Sequence, residues 1–198
     1  IALHQAWVLF LLLVVVAFIL VLQLNFFTIL LSGGGLLLTI IYPFCKRFLP
    51  APQLVLGLAF SWGVPMAFAA TDHDISLLVY ILWGSVAFWI LLYDTFYAMA
   101  DREDDLALNL NSTAILFGSN DKLMIGLLQV AMLSSLIVVG LLFELALYYY
   151  LSLVISCCVF IRQHYLIRNR EPEGCFKAFL ENNYLGGVVF VGIVLSFL

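Results

Sequence analysis

Charge is what this chain has least of. Asp, Glu, Lys and Arg make up only 10% of its 198 residues, while 65% are hydrophobic and the mean hydropathy is +1.15. Soluble domains carry about a quarter charged residues, so that class is excluded and a polytopic membrane protein is implied. Basic residues are scarcer than acidic ones, 8 against 12, and a net charge of −4 gives no electrostatic footprint for a nucleic-acid partner. Cysteine is sparse as well. Cys45, Cys157, Cys158 and Cys175 lack CxxC or His-paired spacing, which removes a thiolate metal centre or redox pair and leaves four reduced packing residues. His4, His73 and His164 each stand without a second ligand one helical turn away. No basic segment or small-residue cleavage site precedes the first apolar run, and the first residue is Ile, so the sequence reads as a stretch from within a longer protein, without a signal peptide.

What the chain does have is apolar runs of membrane-spanning length. They fall at about 6–22, 25–43, 53–70, 76–93, 121–143, 145–167 and 183–198, the last somewhat short, and predict an all-α bundle of seven spans. Pro43, Pro50 and Pro52 bracket one loop, Thr71-Asp-His-Asp74 breaks another, Gly118-Ser-Asn120 precedes the fifth span, and Arg170-Glu-Pro-Glu-Gly174 separates the last two. Pro65 falls inside the third span and is expected to kink it.

The basic residues sort by loop. Lys46 and Arg47 follow span two, Arg102 and Lys122 follow span four, and Arg162, Arg168, Arg170 and Lys177 lie at or beyond the end of span six. All are on one side, whereas the opposite loops hold Asp72, His73, Asp74 and Glu144. The positive-inside rule then turns the loop after span four to the cytoplasm and the C-terminus outward.

That loop follows an unusual segment, Tyr93-Asp-Thr-Phe-Tyr-Ala-Met-Ala-Asp-Arg-Glu-Asp-Asp105, with five acids at the end of an apolar run. An Asp at the centre of a membrane helix costs roughly 2.5 to 3.5 kcal/mol, so these carboxylates must meet water, metal or both. At 100° per residue Asp101 and Asp105 lie roughly 20° either side of Asp94, on one helix face that also carries Tyr97, while Glu103 points nearly opposite. Asp101 and Asp105 are about 6 Å apart along the axis, within reach of one hard cation, and Asp94 is roughly 10 Å further along. Mg²⁺ takes one or two carboxylates and completes its shell with water and phosphate, so the stripe reads as a metal-bridged diphosphate site. A solvated helix end is the plainer alternative.

Together with Ser112-Thr-Ala-Ile-Leu-Phe-Gly118, this segment resembles the second Asp-rich motif of the UbiA-type intramembrane aromatic prenyltransferases. Tyr42-Pro-Phe-Cys-Lys-Arg47, Pro65-Met-Ala-Phe-Ala-Ala70 and Cys175-Phe-Lys-Ala-Phe-Leu-Glu-Asn-Asn-Tyr184 extend the likeness over essentially the whole chain, nearest to the branch that acts on 4-hydroxybenzoate. The resemblance implies nine helices around a lipid-accessible cavity, of which this chain supplies the last seven as one transmembrane domain. It also implies two Asp-rich motifs that hold Mg²⁺ against a polyprenyl diphosphate. The first of them, Asn-Asp-x-x-Asp-x-x-x-Asp, has no match here.

By that resemblance Asp94, Asp101 and Asp105 are the metal ligands and catalytic carboxylates. The reaction would be Mg²⁺-dependent transfer of a polyprenyl group to 4-hydroxybenzoate, a step of ubiquinone biosynthesis at the bacterial inner membrane. Tyr97, Arg102, Lys46, Arg47 and Lys122 are the expected substrate contacts, with Lys46 or Arg47 toward the benzoate carboxylate and Arg102 or Lys122 toward diphosphate. Arg102 could instead pair with Glu103 or Asp105, and Lys46 and Arg47 could serve only to set topology. Another aromatic acceptor, a non-catalytic membrane scaffold or a cation pathway are the competing readings.

Three further features are expected to be structural. Gly33-Gly-Gly35 lies inside an apolar span and suits close helix packing rather than phosphate binding. Asn111-Ser-Thr113 matches a glycosylation sequon on the cytoplasmic side. Trp62, Trp83 and Trp89 fit either interfacial anchors or cavity walls.

Overall fold

The computed structural model describes residues 2–71 and 75–198; Asp72, His73 and Asp74, expected in the loop after the third span, lie outside the described residues. The helices are α1 (Leu3–Val21), α2 (Phe26–Cys45), α3 (Pro52–Ser61), α4 (Gly63–Ala70), α5 (Leu77–Ala100), α6 (Arg102–Ala107), α7 (Thr113–Phe117), α8 (Asp121–Leu142), α9 (Leu147–Leu166), α10 (Pro172–Leu180) and α11 (Asn182–Leu195). A single 3₁₀ turn, Gly118–Asn120, leads into α8, and no strand occurs among the described residues.

Among the described residues six helical stretches are long and apolar enough to cross a membrane, and they include α3 with α4, α7 with α8, and α10 with α11. The stretch expected at 145–167 is present as the 20-residue α9. Its polarity has a place to go. Tyr149, Ser152, Ser156 and Gln163 are buried in the bundle, and Gln163 bonds both Gln129 and the Ala178 carbonyl. The last span is longer than expected, because it begins at Pro172 and continues through a break at Glu181.

The expected kink appears as a break between α3 and α4. Pro65 has no N–H for the Ser61 carbonyl, and the helix is interrupted at Trp62, three residues earlier. Of the three glycines of α2, Gly34 and Gly35 act as packing residues, whereas a Cβ on Gly33 would meet nothing within 4 Å. A Cβ on Gly34 or Gly35 would sit 2.6 or 2.8 Å from the Trp62 ring, whose Nε1 donates to the Leu31 carbonyl at 2.7 Å. Trp62 also meets Trp83 edge-on, with ring centroids 5.2 Å apart.

At the centre, α5 packs against α3, α4, α7, α8 and α10. Its Leu92 and Phe96 join Met132, Tyr149, Phe160 and Leu185 in the principal core. The outward faces remain apolar, as lipid tails permit, because burying them against protein gains nothing over burying them in hydrocarbon. Cys45 and Cys175 pack inside as expected, but Cys157 and Cys158 face outward; all four are free.

Loop contacts sort the bundle ends. The loops after α2, α5 and α9 touch one another through Lys46, Asn111, Asp121 and Arg170. At the other end Asn25 bonds the Ala69 carbonyl, and Phe68 meets Phe143. Basic residues of the three loops therefore gather at one end, as their order in the sequence suggests.

Candidate active site

The acidic segment turns the corner from α5 into α6. Asp101 sits at the junction with φ −90° and ψ 6°, which ends α5, yet its amide still bonds the Tyr97 carbonyl at 3.0 Å and its carbonyl accepts from Asp105 at 2.9 Å. Helical register thus survives the break, and Asp94, Asp101 and Asp105 remain on a common stripe. Glu103 and Asp104 are exposed, whereas Asp105 is buried.

Several contacts fasten this corner to its neighbours. Beyond α6 the chain returns through Asn109, at φ 52°, and the Asn111 amide donates to the Lys46 carbonyl at 2.7 Å, fastening the end of α2 to the acidic loop. Ser112 caps α7. Thr113 is fully buried, with its amide on Gln53 Oε1 at 3.0 Å and its hydroxyl 3.0 Å from that of Thr95, one residue past Asp94. Burial of Ser112 and Thr113 makes this sequon a packing element.

Lys46 is the cation nearest the stripe, with Nζ 3.7 Å from Asp105 Oδ1. Asp94 lies within electrostatic reach of Lys46, Asp101 and Asp105, and Tyr42 of α2 lies within reach of Asp94 and Asp105. Sequence reasoning missed Tyr42 as a site residue, although it opens the segment that supplies Lys46. Tyr97 is partly exposed and packs on Phe176 and Phe179 of α10; Tyr93 meets Phe179 as well. Trp89, Tyr93, Phe179, Asn182 and Asn183 line a cavity of 240 Å³ beside them, and Trp89 Nε1 donates to Asn182 Oδ1 at 3.2 Å. Trp89 is thus a cavity wall.

Two residues expected to contact diphosphate have protein partners of their own. Arg102 gives Nη2 to Asp121 Oδ2 at 2.5 Å, and Asp121 is completely buried. Lys122 donates Nζ to the Arg168 carbonyl at 3.1 Å. Arg47 is exposed on the loop after α2. Sequence reasoning passed over Asp121, whose only signal was an acid at the start of an apolar span. Its hydrogen bonds to Arg170 raise that guanidinium above its ordinary value.

Among the described residues no group of three or more His, Cys, Asp or Glu side chains is arranged to hold a metal ion, so the stripe is not a preformed three-carboxylate cage. The donor set still suits a hard cation. Asp105 Oδ2 is buried with no hydrogen-bond partner, and an anionic oxygen in that state calls for a positive ligand. Mg²⁺ needs only one or two carboxylates where water and phosphate complete its octahedron.

Residues 1–191 match the UbiA prenyltransferase family. The chain belongs to that family. It is 50% identical over 192 residues to the 4-hydroxybenzoate octaprenyltransferase of Tolumonas auensis, covering 97% of this chain and 67% of that protein. To the protein of the same name from Psychromonas ingrahamii it is 51% identical over 194 residues, covering 98% and 68%. The chain therefore spans about two thirds of these relatives. The fold is that of a UbiA homologue from Aeropyrum pernix K1, with a TM-score of 0.82 at 22% identity over 100% of this chain and 74% of that one. It is also similar to a digeranylgeranylglyceryl phosphate synthase, with a TM-score of 0.73 at 17% identity over 99% and 70%.

Proposed function

We propose that this UbiA-family chain carries out Mg²⁺-dependent transfer of a polyprenyl group from polyprenyl diphosphate to 4-hydroxybenzoate. The names of relatives about half identical to it support the acceptor and the donor class. Asp105 is the observation that carries the chemistry, a buried carboxylate with one oxygen unpartnered at the mouth of an apolar bundle. In the cell the reaction would serve ubiquinone biosynthesis at the bacterial inner membrane. The acidic corner would face the cytoplasm, a reading supported by the basic loops gathered at its end of the bundle.

Transfer breaks the allylic C–O bond to diphosphate, forms a C–C bond to the ring carbon ortho to the phenol, and releases the proton of that carbon. Asp101 and Asp105, one helical turn apart, would hold Mg²⁺, which would supply Lewis-acid neutralisation of charge on the departing diphosphate. Lys46 adds a positive charge beside Asp105. Tyr93, Tyr97, Phe176 and Phe179 present aromatic faces next to the stripe, suited to keep water from an allylic cation. Arg47 offers a bidentate fork to the benzoate carboxylate, and Asp94 takes the ring proton.

The test is transfer of a radiolabelled polyprenyl group to 4-hydroxybenzoate in membranes, with and without Mg²⁺, for the protein and for Asp105→Asn. Product that requires both Mg²⁺ and Asp105 is the expected result. Labelling of a naphthoate or haem acceptor in place of 4-hydroxybenzoate would change the acceptor, and absence of any transfer with the protein present in the membrane would overturn the enzymatic reading.

A further inference from the structure

Asp121 carries an unusual load for a carboxylate in the first turn of a membrane helix. The side chain has no exposed surface, and two arginines from distant loops converge on it. Arg102 reaches Oδ2 at 2.5 Å from the α5–α6 corner. Arg170, from the loop between α9 and α10, donates Nε to Oδ1 at 3.1 Å and to Oδ2 at 2.9 Å, and Nη2 to Oδ1 at 2.9 Å. The Lys122 amide adds a bond to Oδ1 at 2.7 Å. An acid at this position would complement the helix dipole alone, but that role requires neither burial nor a guanidinium.

The surrounding contacts show what the cluster joins. Arg170 also donates Nη2 to the Ser119 carbonyl at 2.9 Å, and Lys122 Nζ holds the Arg168 carbonyl. Arg170 has φ 60°, a left-handed conformation that a side chain with a Cβ disfavours, so its guanidinium contacts hold the backbone where it would not settle unaided. Gly174 then lets α10 approach the end of α9, since a Cβ there would lie 2.5 Å from the Leu166 carbonyl. Three loops are thereby tied into one unit. Arg102 stands directly after Asp101 and three residues before Asp105, so what fixes Arg102 fixes the stretch that carries both carboxylates.

We propose that Asp121 is a positioning residue, a buried latch that joins Arg102 to Arg170 and so holds the corner that presents Asp101 and Asp105 to their cation. Both carboxylate oxygens of Asp121 are already taken up by Arg102, Arg170 and the Lys122 amide. The latch itself stands on the contacts above; its catalytic consequence rests on the function proposed for the acidic stripe.

The experiment uses the protein in lipid nanodiscs, with Asp121→Asn and Arg170→Lys. Two quantities are followed, backbone hydrogen exchange across 101–111 and the Mg²⁺ concentration for half-maximal prenyl transfer. Both variants are expected to speed exchange in 101–111 while leaving α11 unchanged. They should also raise the Mg²⁺ requirement by about 10- to 100-fold, the usual effect of losing a group that orients a metal ligand, with KM for 4-hydroxybenzoate held. Asp121→Asn combined with Arg170→Lys should add little to Asp121→Asn alone, because the two act as a unit. Unchanged exchange in 101–111 in both variants, or an equal rise throughout the chain, would overturn the latch. Arg170→Lys keeps the charge and decides the matter if Asp121→Asn does not fold. Absence of transfer by the unmodified protein would sink the function proposed above, while the exchange comparison would still decide the latch.

Discussion

The α5–α6 corner and the α1–α2 arm are made of opposite materials. In the corner, long-range polar contacts do the holding: Lys46 to Asp105, Arg102 and Arg170 to Asp121, Thr113 to Gln53. In the arm, α1 has a hydropathy of 2.6, buries none of its residues, and packs only against α2 among the helix pairs with substantial contact. A membrane explains both. Hydrocarbon accepts an apolar helix without asking for a specific partner, but it makes each buried polar group depend on a defined one. Precision in this molecule is therefore concentrated where its few charges are.

Changes in the corner should have the largest effects. Asp105→Asn should lower prenyl transfer by at least about a hundredfold, equivalent to about 2.7 kcal/mol of transition-state stabilisation, while the protein remains folded in the membrane. A smaller loss in a radiolabel assay would mean that the unpartnered oxygen is not what the reaction uses. Asp121→Ala strands two guanidiniums around an empty site. Both keep some solvent, at 25% and 35% side-chain exposure, so a destabilisation of about 3 kcal/mol, the low end for breaking a buried pair, is expected in reversible unfolding. Loss below about 1 kcal/mol would make the corner energetically like the arm.

How much of this was legible in the sequence follows the same division. The spans could be read because hydropathy is a local property, and the stripe of Asp94, Asp101 and Asp105 because helical periodicity is local too. The break at Trp62 was foreseeable within one turn, from Pro65. Partners across the fold were not legible. Nothing in the order of residues joins Arg102 to Asp121 rather than to Glu103 or Asp105, or Lys122 to the Arg168 carbonyl, because such choices are made by how helices pack. The length of the last span was misread for a related reason: Glu181 and Asn182 look like a loop, yet Asn182 returns its amide to the Ala178 and Phe179 carbonyls and Glu181 pairs with Arg162.

Two intermediate effects test the contacts between these regions. Gln53→Leu would leave the buried Thr113 amide without its acceptor, a loss of about 1 to 3 kcal/mol in unfolding free energy. A neutral result would mean that α3 does not brace the start of α7. Gly35→Val places a side chain where the Trp62 ring now lies, and overpacking of this kind costs about 1 to 3 kcal/mol. Trp62 fluorescence should shift in that variant and stay fixed in Gly33→Val, since nothing lies within 4 Å of a Cβ at Gly33.

The smallest effect belongs to the arm. Leu13 is 57% exposed in the middle of α1, so Leu13→Ala removes methyl groups from an apolar face that suits lipid. With lipid on that face no cavity would be left, because acyl chains would fill the space, and no transfer into water would occur. The change in unfolding free energy should stay within about 0.5 kcal/mol, as for other substitutions away from packed features. A loss above about 1 kcal/mol would show that this face of α1 is packed against something more demanding than lipid, and the arm would then owe its place to specific contacts just as the corner does.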